Sequence, residues 1–106
     1  MNPTGEITLT IDDKEYNLKP SVKALLRIEE TLDRGLIEIV QSLSEGKIRI
    51  GHLAVVIHHG MMFGGNAGQI PTVEAVAAWL LRNNLTTATP SVVRFLSEGL
   101  SAGPKD

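Results

Sequence analysis

Three histidines are the side chains of this sequence best suited to metal binding or acid–base chemistry: His52, His58 and His59. On a helix, His52 and His59 would lie roughly 10 Å apart along the axis, too far for this pair to share one metal. A general base also needs an orienting carboxylate and a nucleophile, and the sequence places neither beside the histidines. We therefore expect no metal site and no catalytic residue here, and interpret the three as surface or boundary residues.

The glycines at 60, 64, 65 and 68 have a density typical of phosphate-binding loops. However, no Gly-Lys-Ser or Gly-Lys-Thr follows them, and no Gly-x-Ser-x-Gly nucleophile motif is present. The chain has no cysteine, which excludes a thiolate nucleophile, a disulfide framework and a Cys-based zinc site. The sequence thus predicts a protein that is not an enzyme and takes no cofactor.

Partner binding is the function that the remaining unusual side chains favour. Met61, Met62 and Phe63 lie together beside the glycine-rich stretch, and flexible thioethers adapt to irregular partner surfaces. Trp79 is the chain's single tryptophan. We take these four residues as candidate contact residues, with core packing as the alternative for each.

Composition limits the class of protein further. The 106 residues predict one domain covering 1–106, with 42% hydrophobic and 21% charged residues. Ten basic against twelve acidic residues give a net charge of −2, unlike a protein that binds the nucleic-acid backbone. The longest apolar run covers only 75–81, far short of a membrane span, and no targeting signal is evident. We expect a cytoplasmic protein that binds neither nucleic acid nor membrane.

Hydrophobic periodicity predicts an α+β fold, mostly α, in which an N-terminal hairpin packs on about five short helices. Alternating apolar residues indicate a β-hairpin over 5–19, turning at Asp12, Asp13 and Lys14. Residues 20–100 form the helical part, and 101–106 form a flexible tail. The first predicted helix is 21–34, with Ser21 as its N-cap or Pro20 as its first residue, and a nine-residue helix from Leu36 follows. Three more are predicted: 51–63; 72–84, capped by Thr72 and ended by Asn83-Asn84; and 90–100.

Particular residues are expected to end these helices or to hold them together. Gly35 and Gly46 are read as helix stops, with Gly35 in the positive-φ position that follows the first helix. Glu29 falls within the apolar arc of that helix, so its carboxylate needs a partner inside the fold. Thr89 and Pro90 are read as the cap and first residue of the last helix, and 64–71 as a flexible loop.

The order of these elements resembles the gene transfer agent and phage tail assembly chaperone family, whose members are also described as tail tube components. The likeness is sharpest at the end of the first helix, Ile28-Glu29-Glu30 followed by Gly35, and at the turn Ser44-Glu45-Gly46. It extends over the hairpin 5–18 and the helical stretches 36–43, 50–60, 72–84 and 89–100.

This resemblance implies a chaperone in the bacterial host cell that binds the tape measure protein before the tail tube polymerises, with other tail proteins as further partners. A tube subunit would need more extended β-structure than two short strands, which favours the chaperone role. Self-association is left open. Two alternatives remain, a small helical adapter and a DNA-binding regulator of a prophage cluster, although the last two predicted helices carry only Arg82 and Arg94 as basic residues.

Overall fold

The N-terminal element is a β-hairpin, as predicted. The computed structural model describes residues 7–102, with the backbone alone for 83, 84, 101 and 102. Strands β1 (Ile7–Ile11) and β2 (Lys14–Leu18) pair antiparallel. Asp12 and Asp13 join them with φ of 50° and 67°, the left-handed conformation at both turn positions that suits the twist of a two-residue hairpin. Residues 5 and 6 of the predicted hairpin, and 103–106 of the predicted tail, lie outside the described residues.

The first helix, α1 (Val22–Leu32), begins where its capping residue predicts and ends earlier than expected. The Ser21 hydroxyl accepts a hydrogen bond from the Ala24 N–H at 3.1 Å, which caps the helix. The left-handed residue after α1 is Asp33, with φ of 53°, and not Gly35. Aspartate tolerates this conformation better than most residues, so the chain turns two residues before the glycine.

Gly35 instead precedes the second helix, α2 (Leu36–Ser44), in an extended conformation with φ of −69°. The prediction of a positive φ at Gly35 was therefore wrong. At the other end of α2, Gly46 does have positive φ, 82°. The N–H groups of Gly46 and Lys47 bond to the carbonyls of Leu43 and Ser42, the pattern of a glycine-terminated helix.

Helix α3 (Ile50–Met62) lies at the centre of the fold. It contacts α1 on one side, and β2 contacts it on another. Eight of its residues are buried: Leu53, Ala54, Val55, Val56, Ile57, His59, Gly60 and Met61. A helix that is apolar over so much of its circumference is expected to be enclosed by other elements.

The last third of the chain differs from its prediction. Helix α4 (Val73–Trp79) runs into a π-helical segment (Leu80–Asn84), which continues directly into α5 (Leu85–Ala102). The predicted break between 84 and 90 is absent from this described run. The Thr89 hydroxyl donates to the Leu85 carbonyl at 2.8 Å and caps no helix, and Pro90 lies inside α5.

This helical run is bent. Thirty residues of straight helix would measure about 45 Å, which exceeds 31 Å, the longest principal extent of the molecule. A π-helical segment and an internal proline are both known causes of bending, and the run contains both. The bend lets α4 pack on α3 while α5 packs on α2.

The predicted α+β, mostly α class is confirmed: the hairpin lies at the N-terminus and the helices follow. Side chains from every element meet in one hydrophobic core. Its largest fully buried side chains are Leu18, Ile28, Ile39, Leu53, Ile57, Met61, Leu80, Phe95 and Leu96. Within the described residues, no helix is both long and apolar enough to cross a membrane.

Candidate functional site

The structure separates the four candidate contact residues. Met61 is 1% exposed and Trp79 8% exposed, and both belong to the hydrophobic core. Met62 is 45% exposed and Phe63 is half-buried. Met61 lies four residues after Ile57, on the buried face of α3, whereas Met62 is rotated by about 100° toward solvent. The burial of Met61 and Trp79 does not support a contact role for them, which leaves Met62 and Phe63 as the candidates.

Helix α1 carries two apolar side chains that are exposed. Leu26 is 60% exposed and Val22 40% exposed, and the two lie one helical turn apart on the same face. The apolar arc of α1 is wider than the face that contacts α3, so its edge remains in solvent. We call Val22 and Leu26 the α1 apolar stripe. Ile37, Leu81 and Leu100 are also exposed, on other elements.

The outer edge of β2 is blocked at Asn17 by the glycine-rich loop. The Asn66 side chain accepts from the Asn17 N–H at 2.7 Å and donates to the Asn17 carbonyl at 2.8 Å, as a neighbouring strand would. It also donates to the Met61 carbonyl at 2.9 Å. Gly64 passes so close that a Cβ there would overlap the Asn17 carbonyl oxygen. The loop predicted to be a flexible linker is therefore tied to the sheet at these points.

His58 and His59 each make a separate hydrogen bond to a backbone carbonyl. The His58 Nδ1 donates to the Pro71 carbonyl at 2.9 Å and the His59 Nδ1 to the Val55 carbonyl at 2.8 Å, with the two rings edge-on. These bonds tie α3 to the following loop and to its own preceding turn. In the part of the chain that the structure covers, no three His, Asp or Glu side chains lie close enough to hold a metal ion.

His52 lines a basic cleft of about 210 Å³ between α2 and the start of α3. Burial, followed by the charges of Arg49 and Arg34, lowers the pKa of His52 below its ordinary value of 6.5. Arg34 pairs with Glu38 at 3.1 Å and Lys47 with Glu45 at 3.3 Å. Both pairs are exposed. The lining of the cleft is Arg34, Ile39, Ser42, Lys47, Arg49 and His52.

Glu29 has the internal partner that its position requires. Its Oε2 accepts a hydrogen bond from the Leu36 N–H at 3.0 Å. Gly35, which precedes α2, has no side chain to cap that helix, so Glu29 supplies a carboxylate to an otherwise unpaired N–H at the positive end of the helix dipole. Glu29 is thus a structural residue that joins α1 to α2.

The two helices considered for the regulator alternative are not separate elements. The predicted helices 72–84 and 90–100 are parts of one continuous run in the structure. Arg82, one of the two basic residues considered, donates to both carboxylate oxygens of Asp12 at 2.9 and 3.1 Å. This arrangement is not that of two helices joined by a tight turn, one of which enters a DNA groove.

Comparison with known proteins identifies the family. Residues 4–102 match the model of the family described as phage tail tube protein, GTA-gp10. No curated protein and no solved structure matches the chain. The match covers nearly the whole sequence and includes the hairpin, all five α-helices and the loop that closes β2. The chain therefore belongs to the GTA-gp10 family of phage tail tube proteins, which are tail proteins of phages and gene transfer agents.

Proposed function

We propose that this protein acts during tail assembly as a chaperone of the tape measure protein, and does not form the wall of the tube. In this role it binds the long partner chain stoichiometrically, covers its apolar faces and is displaced when tube subunits polymerise. No covalent step is involved. Family membership supports the assignment to tail proteins. The blocked outer edge of β2 supports a chaperone over a subunit of the tube wall.

That blocked edge is the observation that carries the proposal. A subunit that builds a ring by continuing its sheet from copy to copy needs two open edge strands. Here the sheet has two strands of five residues, and Asn66 occupies the outward-facing backbone groups of Asn17 in β2. The sheet can therefore be extended on one side at most, so the protein is unsuited to a continuous β-ring.

The α1 apolar stripe is the contact surface that we assign to the partner, together with Met62. Val22 and Leu26 form a short apolar ridge on a solvent-facing helix, the kind of surface that accepts an amphipathic helix. Arg27 and Glu30 are exposed on the same helix and supply a polar rim. A helix-rich partner with apolar faces fits such a surface.

Co-expression with the tape measure and tube proteins of the same locus tests this proposal. We expect the tape measure protein to be soluble only with this chain, and to co-purify with it. Leu26→Asp should abolish the rescue because it places a charge in the apolar contact. Thr31→Asp is the matched control, since Thr31 is an exposed polar residue of the same helix and the charge change is identical.

Both variants should remain folded by circular dichroism because both side chains are exposed. Equal rescue by wild type, Leu26→Asp and Thr31→Asp would exclude the α1 apolar stripe as the contact surface. Recovery of the tape measure protein without this chain would contradict the chaperone role itself.

A further inference from the structure

Within residues 7–102, no other segment pairs with the outer edge of β1. In a two-residue hairpin the pairs Ile11–Lys14, Leu9–Tyr16 and Ile7–Leu18 exchange backbone hydrogen bonds, so the N–H and C=O groups of Thr8 and Thr10 point away from β2. Asn17 of β2 and Lys19, which follows the strand, agree with this alternation, since both use outward-facing backbone groups to bond elsewhere. Among the described residues, nothing bonds to the outward backbone groups of Thr8 or Thr10.

Natural proteins usually protect such an edge with lysine, proline, a bulge or a covering segment. The β1 edge has none of these between residues 7 and 11. Its two solvent-facing side chains, Thr8 and Thr10, are uncharged and β-branched, which favours strand pairing. Of the two strands of the hairpin, β2 makes the main contact with α3.

We propose that β1 pairs antiparallel with β1 of a second copy of this chain, which gives a dimer with a continuous four-stranded sheet. The sequence of β1, Ile-Thr-Leu-Thr-Ile, reads the same in both directions about Leu9. Pairing around a two-fold axis at Leu9 places Thr8 opposite Thr10 of the other copy, and Ile7 opposite Ile11.

This register satisfies the backbone and the side chains together. Thr8 and Thr10 are the residues whose N–H and C=O groups face outward, and opposite one another they exchange both hydrogen bonds. Two Thr–Thr pairs lie on the solvent face, and such cross-strand pairs are favourable. Assembly stops at two copies because each outer edge of the joined sheet is a β2 edge, where Asn66 blocks the backbone groups of Asn17. Acidic residues flank the segment in the sequence, Glu6 and Asp12, so we expect a weak dimer.

A charge-swap experiment tests both the dimer and its register. Sedimentation equilibrium over a wide concentration range should show wild type in a monomer–dimer equilibrium. The T8K/T10K double variant places two like-charged pairs across the interface and should raise the dissociation constant about tenfold. The T8E/T10K variant places opposite charges in the same positions and should retain the dimer. In both variants, T10K places a lysine opposite Glu15 within the hairpin. The resulting ion pair stabilises the folded monomer equally in both, so it does not affect the comparison.

Amide hydrogen exchange on the unmodified chain gives a second measurement that requires no substitution. The amides of Thr8 and Thr10 should exchange fast in dilute solution and slow as the concentration rises, while the Leu9 amide is protected throughout. A wild type that stays monomeric at every concentration would overturn the proposal. So would equal dissociation constants for the two double variants, or no concentration dependence at Thr8 and Thr10. None of these results depends on whether the chain binds a tape measure protein.

Discussion

At the scale of single residues, a polar side chain in an apolar pattern marks a connection between elements. Glu29 lies on the core-facing arc of α1, where an unpaired carboxylate would be costly. The structure shows its partner to be the Leu36 N–H, the first backbone donor of α2. The sequence predicts that Glu29 needs a partner but not which one, because the partner depends on the tight turn at Asp33.

Removing the Glu29 carboxylate is expected to destabilise the fold. Glu29→Ala leaves the Leu36 N–H without its cap and should lower the free energy of unfolding by about 1 kcal/mol, and Glu29→Gln should cost less because an acceptor remains. Glu30→Ala, at the exposed neighbouring position, should change it by less than about 0.5 kcal/mol. Urea unfolding measures all three, and an equal loss at positions 29 and 30 would argue against the cap.

The lowered pKa of His52 predicts a loss of stability in acid. Because burial and the charges of Arg49 and Arg34 disfavour the protonated ring in the folded state, the unfolded chain binds the proton more readily. The free energy of unfolding lost through this shift grows as the pH falls below 6.5, the ordinary pKa of histidine. It stops growing once the pH is below the pKa of His52 in the folded state. The free energy of unfolding of wild type should therefore fall more steeply than that of His52→Gln as the pH is lowered through 6.5. Parallel pH profiles would refute this role of His52.

At the scale of elements, local sequence signals correctly predict where helices begin and where the hairpin turns. They also predict a helix break between α4 and α5, which the structure does not have. The caps at Ser21 and Thr72, the hairpin turn and the stop at Gly46 all follow from short-range chemistry, and the structure confirms them. The expected break between α4 and α5 rested on Asn83-Asn84 and Thr89-Pro90. Helix propensity disfavours Asn and Thr by less than about 1 kcal/mol each and an interior proline by about 3 kcal/mol. Burial of apolar residues along the continuous run outweighs these costs. Those residues are Leu80, Ala88, Val92, Phe95 and Leu96.

A pair of threonine substitutions distinguishes the continuous helix from a broken one. The Thr72 hydroxyl accepts from the Ala75 N–H at 3.1 Å, so Thr72→Ala should cost about 1 kcal/mol through loss of an N-cap. Thr89 lies inside α5, where the better helix propensity of alanine offsets the lost bond to Leu85, so Thr89→Ala should change stability by less than about 0.5 kcal/mol. A comparable loss for both variants would indicate that a new helix begins at Pro90.

The link between the loop and the hairpin gives a prediction for β2. Asn66→Ala removes three hydrogen bonds to backbone groups of Asn17 and Met61 and should cost about 1–2 kcal/mol. It should also accelerate hydrogen exchange at the Asn17 amide. Gln69→Ala, an exposed position of the same loop, is the control and should leave both quantities unchanged. Unaltered exchange at Asn17 in Asn66→Ala would show that the β2 edge is not closed in solution.

At the scale of the whole molecule, the fold class and the element order could be predicted from periodicity, whereas the contact surface could not. Residue type alone does not tell a core methionine from an exposed one, and Met61 and Met62 differ only by one step around α3. The bond between Asn17 and Asn66 joins residues 49 positions apart, for which no local pattern exists. Yet this long-range contact decides which edge of the sheet stays open, and so bears most directly on the function.

The central claim is that this GTA-gp10 family member assists tail assembly and does not build the tube. Quantitative mass spectrometry of purified particles from the same locus, compared with the assembling lysate, tests it most directly. We predict that the chain is abundant in the lysate, associated with the tape measure protein, and depleted from finished particles to far below the copy number of the tube subunit. A copy number in finished particles equal to that of a tube subunit would contradict the claim.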